Sequence, residues 1–144
     1  LVEVEVDPQT GQSKVVRYVV VDDFGYLLNP MLVEGQVHGG VVQGLGQAMM
    51  EHVVYDDNGQ LLTASFMDYG MPRASDVPMF DFNSVVVPST ANPIGMKGCG
   101  EAGTIGSMAA VANAVMDALA SKGVTRADMP FTPQRVWSML QNAG

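Results

Sequence analysis

A single carboxylate stands inside a run of glycines in Lys97-Gly98-Cys99-Gly100-Glu101-Ala102-Gly103-Thr104, and three chemistries are open to such a segment. Gly98, Gly100 and Gly103 fit the G-x-G-x-x-G pattern of a dinucleotide-binding module, whose bare backbone cradles a pyrophosphate. That chemistry needs a strand running straight into the glycines and a further strand after the following helix. Here Pro88 and Pro93 separate the loop from the nearest upstream strand pattern, and a glutamate in the turn would repel the pyrophosphate. The second reading is structural: Glu101 precedes a helix and complements the positive end of its macrodipole. The third is a general base, because an ionised carboxylate aimed by a rigid loop can accept a proton. Flanking glycines then let the backbone come close to a bulky cofactor. Composition leaves the second and third readings both open.

A second glycine-rich stretch must be explained with the first. Asn29-Pro30 reads as a helix start, with Asn as cap and Pro at the first helical position. From Met31 to about His52, Leu32, Val33, Val37, Val41, Leu45 and Met49 recur at helical spacing. The same stretch holds Gly35, Gly39, Gly40, Gly44 and Gly46. Each costs up to ~1 kcal/mol against Ala in a helix interior, so this helix needs a neighbouring backbone or ligand close against it.

The remaining elements frame these two segments. Leu1 to Asp7 alternates Val with Glu and predicts a half-buried strand, and Pro8-Gln9-Thr10-Gly11 a turn. Lys14 to Asp22 predicts a second strand of the same hairpin, buried on both faces. Val53 to Asp56 and Gln60 to Ala64 flank Asn58-Gly59, a second hairpin signal. Ser65 to Phe80 is irregular, Phe82 to Val87 strand, and Pro88 to Gly103 loop. Thr104 to Ala120 predicts a helix with the apolar stripe Ile105, Met108, Ala109, Ala112, Val115, Met116 and Leu119, ended by Lys122-Gly123. Thr132-Pro133 opens a last short helix with Val136, Trp137 and Leu140. The expectation is one α+β domain over 1–144, mixed hairpins and helices with one layer of helices on sheet.

Bulk properties narrow the partners. Charged residues make up 15% and hydrophobic residues 47%, against about 25% charged in ordinary soluble domains, so the domain is expected to cover itself against other polypeptide. A net charge of -8 argues against nucleic acid and anionic membranes. One cysteine, Cys99, leaves no internal disulfide framework, which fits a reducing, cytoplasmic setting. No apolar run is expected to reach the ~20 residues of a membrane span. Leu1 leads directly into a strand with no signal peptide, and the N-terminus is expected to be a cut inside a longer polypeptide. The 11 methionines are expected in the core. His38 is expected to be packed or on the helix surface, His52 to answer the helix dipole, and Trp137 to anchor the last helix. Asp68, Tyr69 and Arg73 are candidates for a subunit contact.

Lys97-Gly98-Cys99-Gly100-Glu101 resembles the Lys-Gly-x-Gly-Glu segment of the molybdenum hydroxylases, the xanthine oxidase/aldehyde oxidase/aerobic carbon monoxide dehydrogenase family. The stretch Glu34-Gly35-Gln36-Val37-His38-Gly39-Gly40 through Gly46 is similar to that family's glycine-rich helix. Asp128-Met129-Pro130 and Thr132-Pro133-Gln134-Arg135-Val136-Trp137 look like the ending of carbon monoxide dehydrogenase-like large subunits. The likeness covers nearly the whole chain in the right order. It implies a C-terminal part of the molybdenum-binding subunit, inactive alone, in an oxidoreductase that inserts water-derived oxygen at the carbon of a small aldehyde, heterocycle or CO-like substrate.

By the same resemblance Glu101 is the catalytic base, which deprotonates a metal-bound hydroxyl. Gln36 hydrogen-bonds the molybdenum centre. The backbone of Lys97, Gly98, Cys99 and Gly100 approaches the molybdenum-pterin cofactor, in its cytosine dinucleotide form, and Asn29 contacts the nucleotide part. The implied partners are the remainder of the large subunit and iron-sulfur and flavin subunits or domains. Cys99 stands where relatives often carry Val or Ala and reads as a small buried side chain, and the reactive cysteine of carbon monoxide dehydrogenases lies in a segment this chain does not contain. A non-catalytic assembly domain that kept the fold and lost the metal is the alternative.

Overall fold

The structure, a computed structural model, describes residues 1–143. Its elements run β1 (Val2–Val6), β2 (Ser13–Asp22), α1 (Pro30–Met49), a 3-10 turn (Ala74–Asp76), β3 (Asp81–Ser84), α2 (Ala102–Ala120) and α3 (Pro133–Asn142). The sheet order is β1-β2-β3. β1 and β2 form the expected antiparallel hairpin, with a register shift between Glu3 and Val4. Its turn is closed by Asp7, whose carboxylate accepts from Gln9 N and Thr10 Oγ1, each at 2.8 Å. At Gly11 (φ +73°) a Cβ would lie 2.1 Å from the Pro133 carbonyl, so α3 starts directly on this turn.

β3 pairs with β2 in parallel, Val19 opposite Asp81 through Asp22 opposite Ser84. Residues 23–80, α1 included, form the crossover that a parallel pair requires. β2 buries Val15 and Tyr18 but exposes Lys14, Val16 and Arg17. The expected burial on both faces is therefore corrected: α2 packs on the β1-β2 hairpin, with α1 against α2, and the opposite side of β2 stays exposed. The predicted strand over 82–87 stops at Ser84, and Val85, Val86 and Val87 stay exposed. The second hairpin contracts to one bridge, Tyr55 with Leu61, although Asp56 Oδ1 still caps its Asn58-Gly59 turn.

α1 and α2 pack through small residues. Gly40, Gly44, Gly103 and Ser107 sit at the contact, and a Cβ on Gly103 would come within 2.6 Å of the Val37 carbonyl oxygen. Thr104 Oγ1 donates to the Gly40 carbonyl at 3.0 Å and Ser107 Oγ to the Val41 carbonyl at 2.8 Å. The buried line on α2 is Gly103, Ser107, Val111, Val115 and Leu119, spaced by four residues. This shifts the predicted stripe, because the close approach selects small side chains and leaves Ile105 65% exposed.

Beneath lie Val41 and Leu45 of α1, and Val136 of α3 with Phe131 ahead of it, all nearly or wholly buried. Val136, not Trp137 at 44% exposure, anchors α3. The methionines are mostly outside the core: only Met49 is buried, while Met31, Met67, Met71, Met79 and Met129 are exposed. α1 ends at Met49, so His52 lies beyond the last turn and does not answer its dipole.

α2 is, among the described residues, the one helix long and apolar enough to cross a membrane by length and composition, although Thr104, Ser107, Asn113 and Asp117 interrupt it and leave no unbroken apolar run. Its alanines raise the hydropathy, and its buried line is seated on α1. No strand follows α2 among the described residues, and β3 ends well before Lys97. The G-x-G-x-x-G match therefore lacks both strands that a dinucleotide fold places around it.

Candidate active site

Two groups among the glycines of the helices and the loop have different surroundings. Gly40, Gly44 and Gly103 serve the helix contact. At Gly35, Gly39, Gly98 and Gly100 an added Cβ would meet no atom within 4 Å. Gly35 and Gly39 are one helical turn apart, so one stripe of α1 is stripped to its backbone and faces open space. The two faces meet at Gln36, whose Nε2 donates to the Gly100 carbonyl at 2.9 Å. One N–H and the Oε1 of that amide remain for other partners.

Glu101 occupies the N-cap position of α2, with φ -111° and ψ -7°, and its side chain makes no cap hydrogen bond. Its side chain is exposed, and a carboxylate at this position still complements the positive end of the α2 macrodipole, so the geometry suits both the structural and the general-base reading. Thr104 and Ser107, one and two turns on, fix α2 against α1 and so hold Glu101 and Gln36 in one frame.

On its other side the loop is tied to the end of β2. The Lys97 ammonium pairs with Asp23 Oδ2, and Lys97 N donates to the Phe24 carbonyl at 2.9 Å. Asp23 Oδ1 accepts from Gly25 N at 2.9 Å and from Val87 N at 3.0 Å. The hydrogen bond from Lys97 chiefly, with those from Gly25 and Val87, holds the Asp23 carboxyl down to about 2. The clasp thus stays ionised above that pH. Asn92 Oδ1 accepts from Gly95 N (2.7 Å) and Met96 N (3.2 Å), while its Nδ2 donates to the Met96 carbonyl at 2.9 Å. Asp23, Asn92, Thr104 and Ser107 escaped the sequence reading. The signals available were the Asp-Phe-Gly and Asn-Pro turn patterns and hydroxyls set among α2's glycines.

Asn29 spends its Oδ1 on capping, accepting from Leu32 N at 3.2 Å. It stands at the rim of a mostly apolar cleft of about 240 Å³ lined by Phe24, Leu28, Leu32, Met96 and Cys99. Cys99 is half-buried there, in keeping with a packed small side chain. His38 is half-buried with its ring edge-on to Phe80, centroids 5.4 Å apart. The structure thus brings the Gln36 amide to the backbone at Gly100, next in sequence to Glu101, turns the Lys97 side chain back to Asp23, and leaves Asn29 beside the apolar cleft.

A glycine-stripped helix stripe joined through Gln36 to a glycine loop gives an α+β module with an open surface lined by backbone. The sequence pattern of the molybdopterin cofactor-binding domain matches residues 1–78. The carbon monoxide dehydrogenase large chain of Hydrogenophaga pseudoflava is 43% identical over 138 residues, 96% of this chain and 17% of the relative. The nicotine 6-hydroxylase large subunit of Paenarthrobacter nicotinovorans is 45% identical over 133 residues, 92% of this chain and 16% of the relative. The crystal structure of quinoline 2-oxidoreductase from Pseudomonas putida 86 superposes with a TM-score of 0.94 at 42% identity, covering 98% of this chain and 18% of that one.

The chain belongs to the molybdopterin cofactor-binding domain family. It spans about a sixth of the length of these curated relatives. The family pattern covers Asn29 and Gln36, whereas the Glu101 loop lies in the part matched by whole-chain relatives.

Proposed function

We propose that this chain forms one wall of the molybdenum-pterin site in a molybdenum hydroxylase, with Glu101 as general base. The observation that carries the reading is the hydrogen bond from Gln36 to the Gly100 carbonyl, beside a carboxylate left free at the start of α2. The open backbone at Gly35, Gly39, Gly98 and Gly100 suits close approach of a large flat group. When bound, the cofactor, in its cytosine dinucleotide form, supplies the electron acceptor for oxidation of a small aldehyde, heterocycle or CO-like substrate.

Glu101 would accept, at a carboxylate oxygen, the proton of a water-derived hydroxyl as the substrate carbon gains oxygen, and the bound cofactor would take up the two electrons of that oxidation. Gln36 offers its second N–H and its Oε1 to the molybdenum centre. Lys97, Gly98, Cys99 and Gly100 contribute backbone groups, since the Lys97 ammonium is committed to Asp23. Asn29 offers Nδ2 to the nucleotide part. The rest of the wall, the channel and the electron-transfer centres come from the remainder of the large subunit and from iron-sulfur and flavin subunits in the cytoplasm. Alone, the chain is inactive.

Co-expression with the adjoining polypeptide tests this against the assembly-domain alternative. Molybdenum and pterin are expected to co-purify, and Gln36→Ala to reduce activity, cofactor content or both. An assembled complex without molybdenum would favour the alternative, and Gln36→Ala with unchanged activity and content would remove Gln36 from the site.

A further inference from the structure

We infer that Asp23 is the positioning residue for the base loop, an inference that rests on the Glu101 reading. Between Lys97 and Glu101 the chain passes through Gly98 and Gly100, both open on one side. Glycine leaves the backbone its widest conformational freedom, so this stretch can aim a carboxylate only if both of its ends are fixed. The downstream end is fixed by Gln36 on Gly100 and by Thr104 and Ser107 on α1. Upstream, Lys97 is the last residue before the glycines with a side chain long enough to anchor.

Beside the backbone bond from Lys97 N to the Phe24 carbonyl, its side-chain anchor is a carboxylate that joins Val87 and Lys97 to its own turn at Gly25. Oδ1 takes the amides of Gly25 and Val87, and Oδ2 takes the Lys97 ammonium. The Asp23 and Lys97 side chains are only about one-third exposed, 31% and 35%. Asp23 sits at the end of β2, whose register is set by both neighbouring strands. Through it, the position of the loop is referred to the sheet. Asn92, which folds Gly95 and Met96 into a turn, shapes the loop but has no bond to β2.

The two oxygens of Asp23 can be separated experimentally. Asp23→Asn keeps an acceptor for Gly25 and Val87 and loses the ion pair. Lys97→Met loses the same tie from the other side, and Asp23→Ala loses all of it. In the complete enzyme at full molybdenum occupancy, Asp23→Asn is expected to lower kcat by ~10- to 100-fold with KM little changed, as expected when a reacting group is misplaced by about an ångström. Asp23→Asn/Lys97→Met is expected to be no worse than either single variant, because both cut one interaction. In the cofactor-free subunit, amides 96–101 are expected to exchange about tenfold faster while those of the α1 and α2 cores are unchanged, as for a local opening.

Wild-type kcat and loop exchange in Asp23→Asn would overturn the inference. So would a parallel loss of molybdenum and of core protection, which would mark a role in the fold as a whole. Glu101→Gln run beside them separates the two claims. Full turnover in that variant defeats the base assignment, whereas the loop-exchange result still reports on the clasp.

Discussion

Glu101→Gln in the assembled enzyme is expected to lower kcat by about 10²- to 10⁴-fold, the range supplied by a positioned general base, with molybdenum content unchanged. The two side chains have nearly the same shape, and Gln cannot accept the proton at neutral pH. The substitution is structurally mild because the Glu101 side chain caps nothing: the α2 N-terminus is held by backbone, by Thr104 and by Ser107. Steady-state turnover, normalised to molybdenum measured on the same sample, checks it. Retained turnover at full molybdenum content would leave Glu101 as a surface residue before a helix.

The second large effect is on stability, and it separates the two groups of glycines. Gly103→Val is expected to destabilise the domain by roughly 3 kcal/mol, at the upper end of what overpacking costs. The atoms in the way are backbone, Val37 O at 2.6 Å and Val41 N at 2.9 Å, and cannot swing aside as a side chain would. Gly35→Ala is expected to do the reverse and stabilise the isolated chain by about 0.5–1 kcal/mol, since its Cβ meets nothing and Ala is the better helix former. In the assembled enzyme the same Gly35→Ala is expected to reduce cofactor content, because the space it fills is the face proposed for the cofactor. Urea unfolding of the chain measures the first pair of effects and molybdenum analysis the last. If Gly35→Ala left cofactor content untouched, that stripe of α1 would not be part of the site.

What could be read in advance follows from which forces are local. Asn29-Pro30 announces the start of α1, and capping by Asn29 is confirmed, because a cap is decided within four residues. The β1-β2 hairpin is likewise written in Pro8 to Gly11 and the alternating valines. The glycines of α1 signal that something approaches closely, and the structure divides them, with Gly46 set against Glu51 and Pro72. α2 takes Gly40 and Gly44, whereas Gly35 and Gly39 stay open. Sequence could not divide them, because the division depends on where α2 lands, some sixty residues later. The predicted α2 stripe holds at Val115 and Leu119, with Ala112 and Met116 packed against the core, and for the same reason fails at its start, where Ser107 and not Ile105 meets α1. The exposed methionines and Val85 to Val87 reflect a chain with apolar surface beyond its own core, as its low charge suggested. Asp23 was legible only as a turn residue, since its partners Val87 and Lys97 are more than sixty residues distant.

A crystal structure of the complete, cofactor-loaded subunit tests the central claim most directly, through the position of the Glu101 carboxylate relative to the metal. The account predicts a carboxylate oxygen within hydrogen-bond reach, about 3 Å or one water, of a ligand of the molybdenum, with the Gln36 amide on the same side. A carboxylate turned to bulk solvent or sealed under other polypeptide, away from the metal, would contradict it.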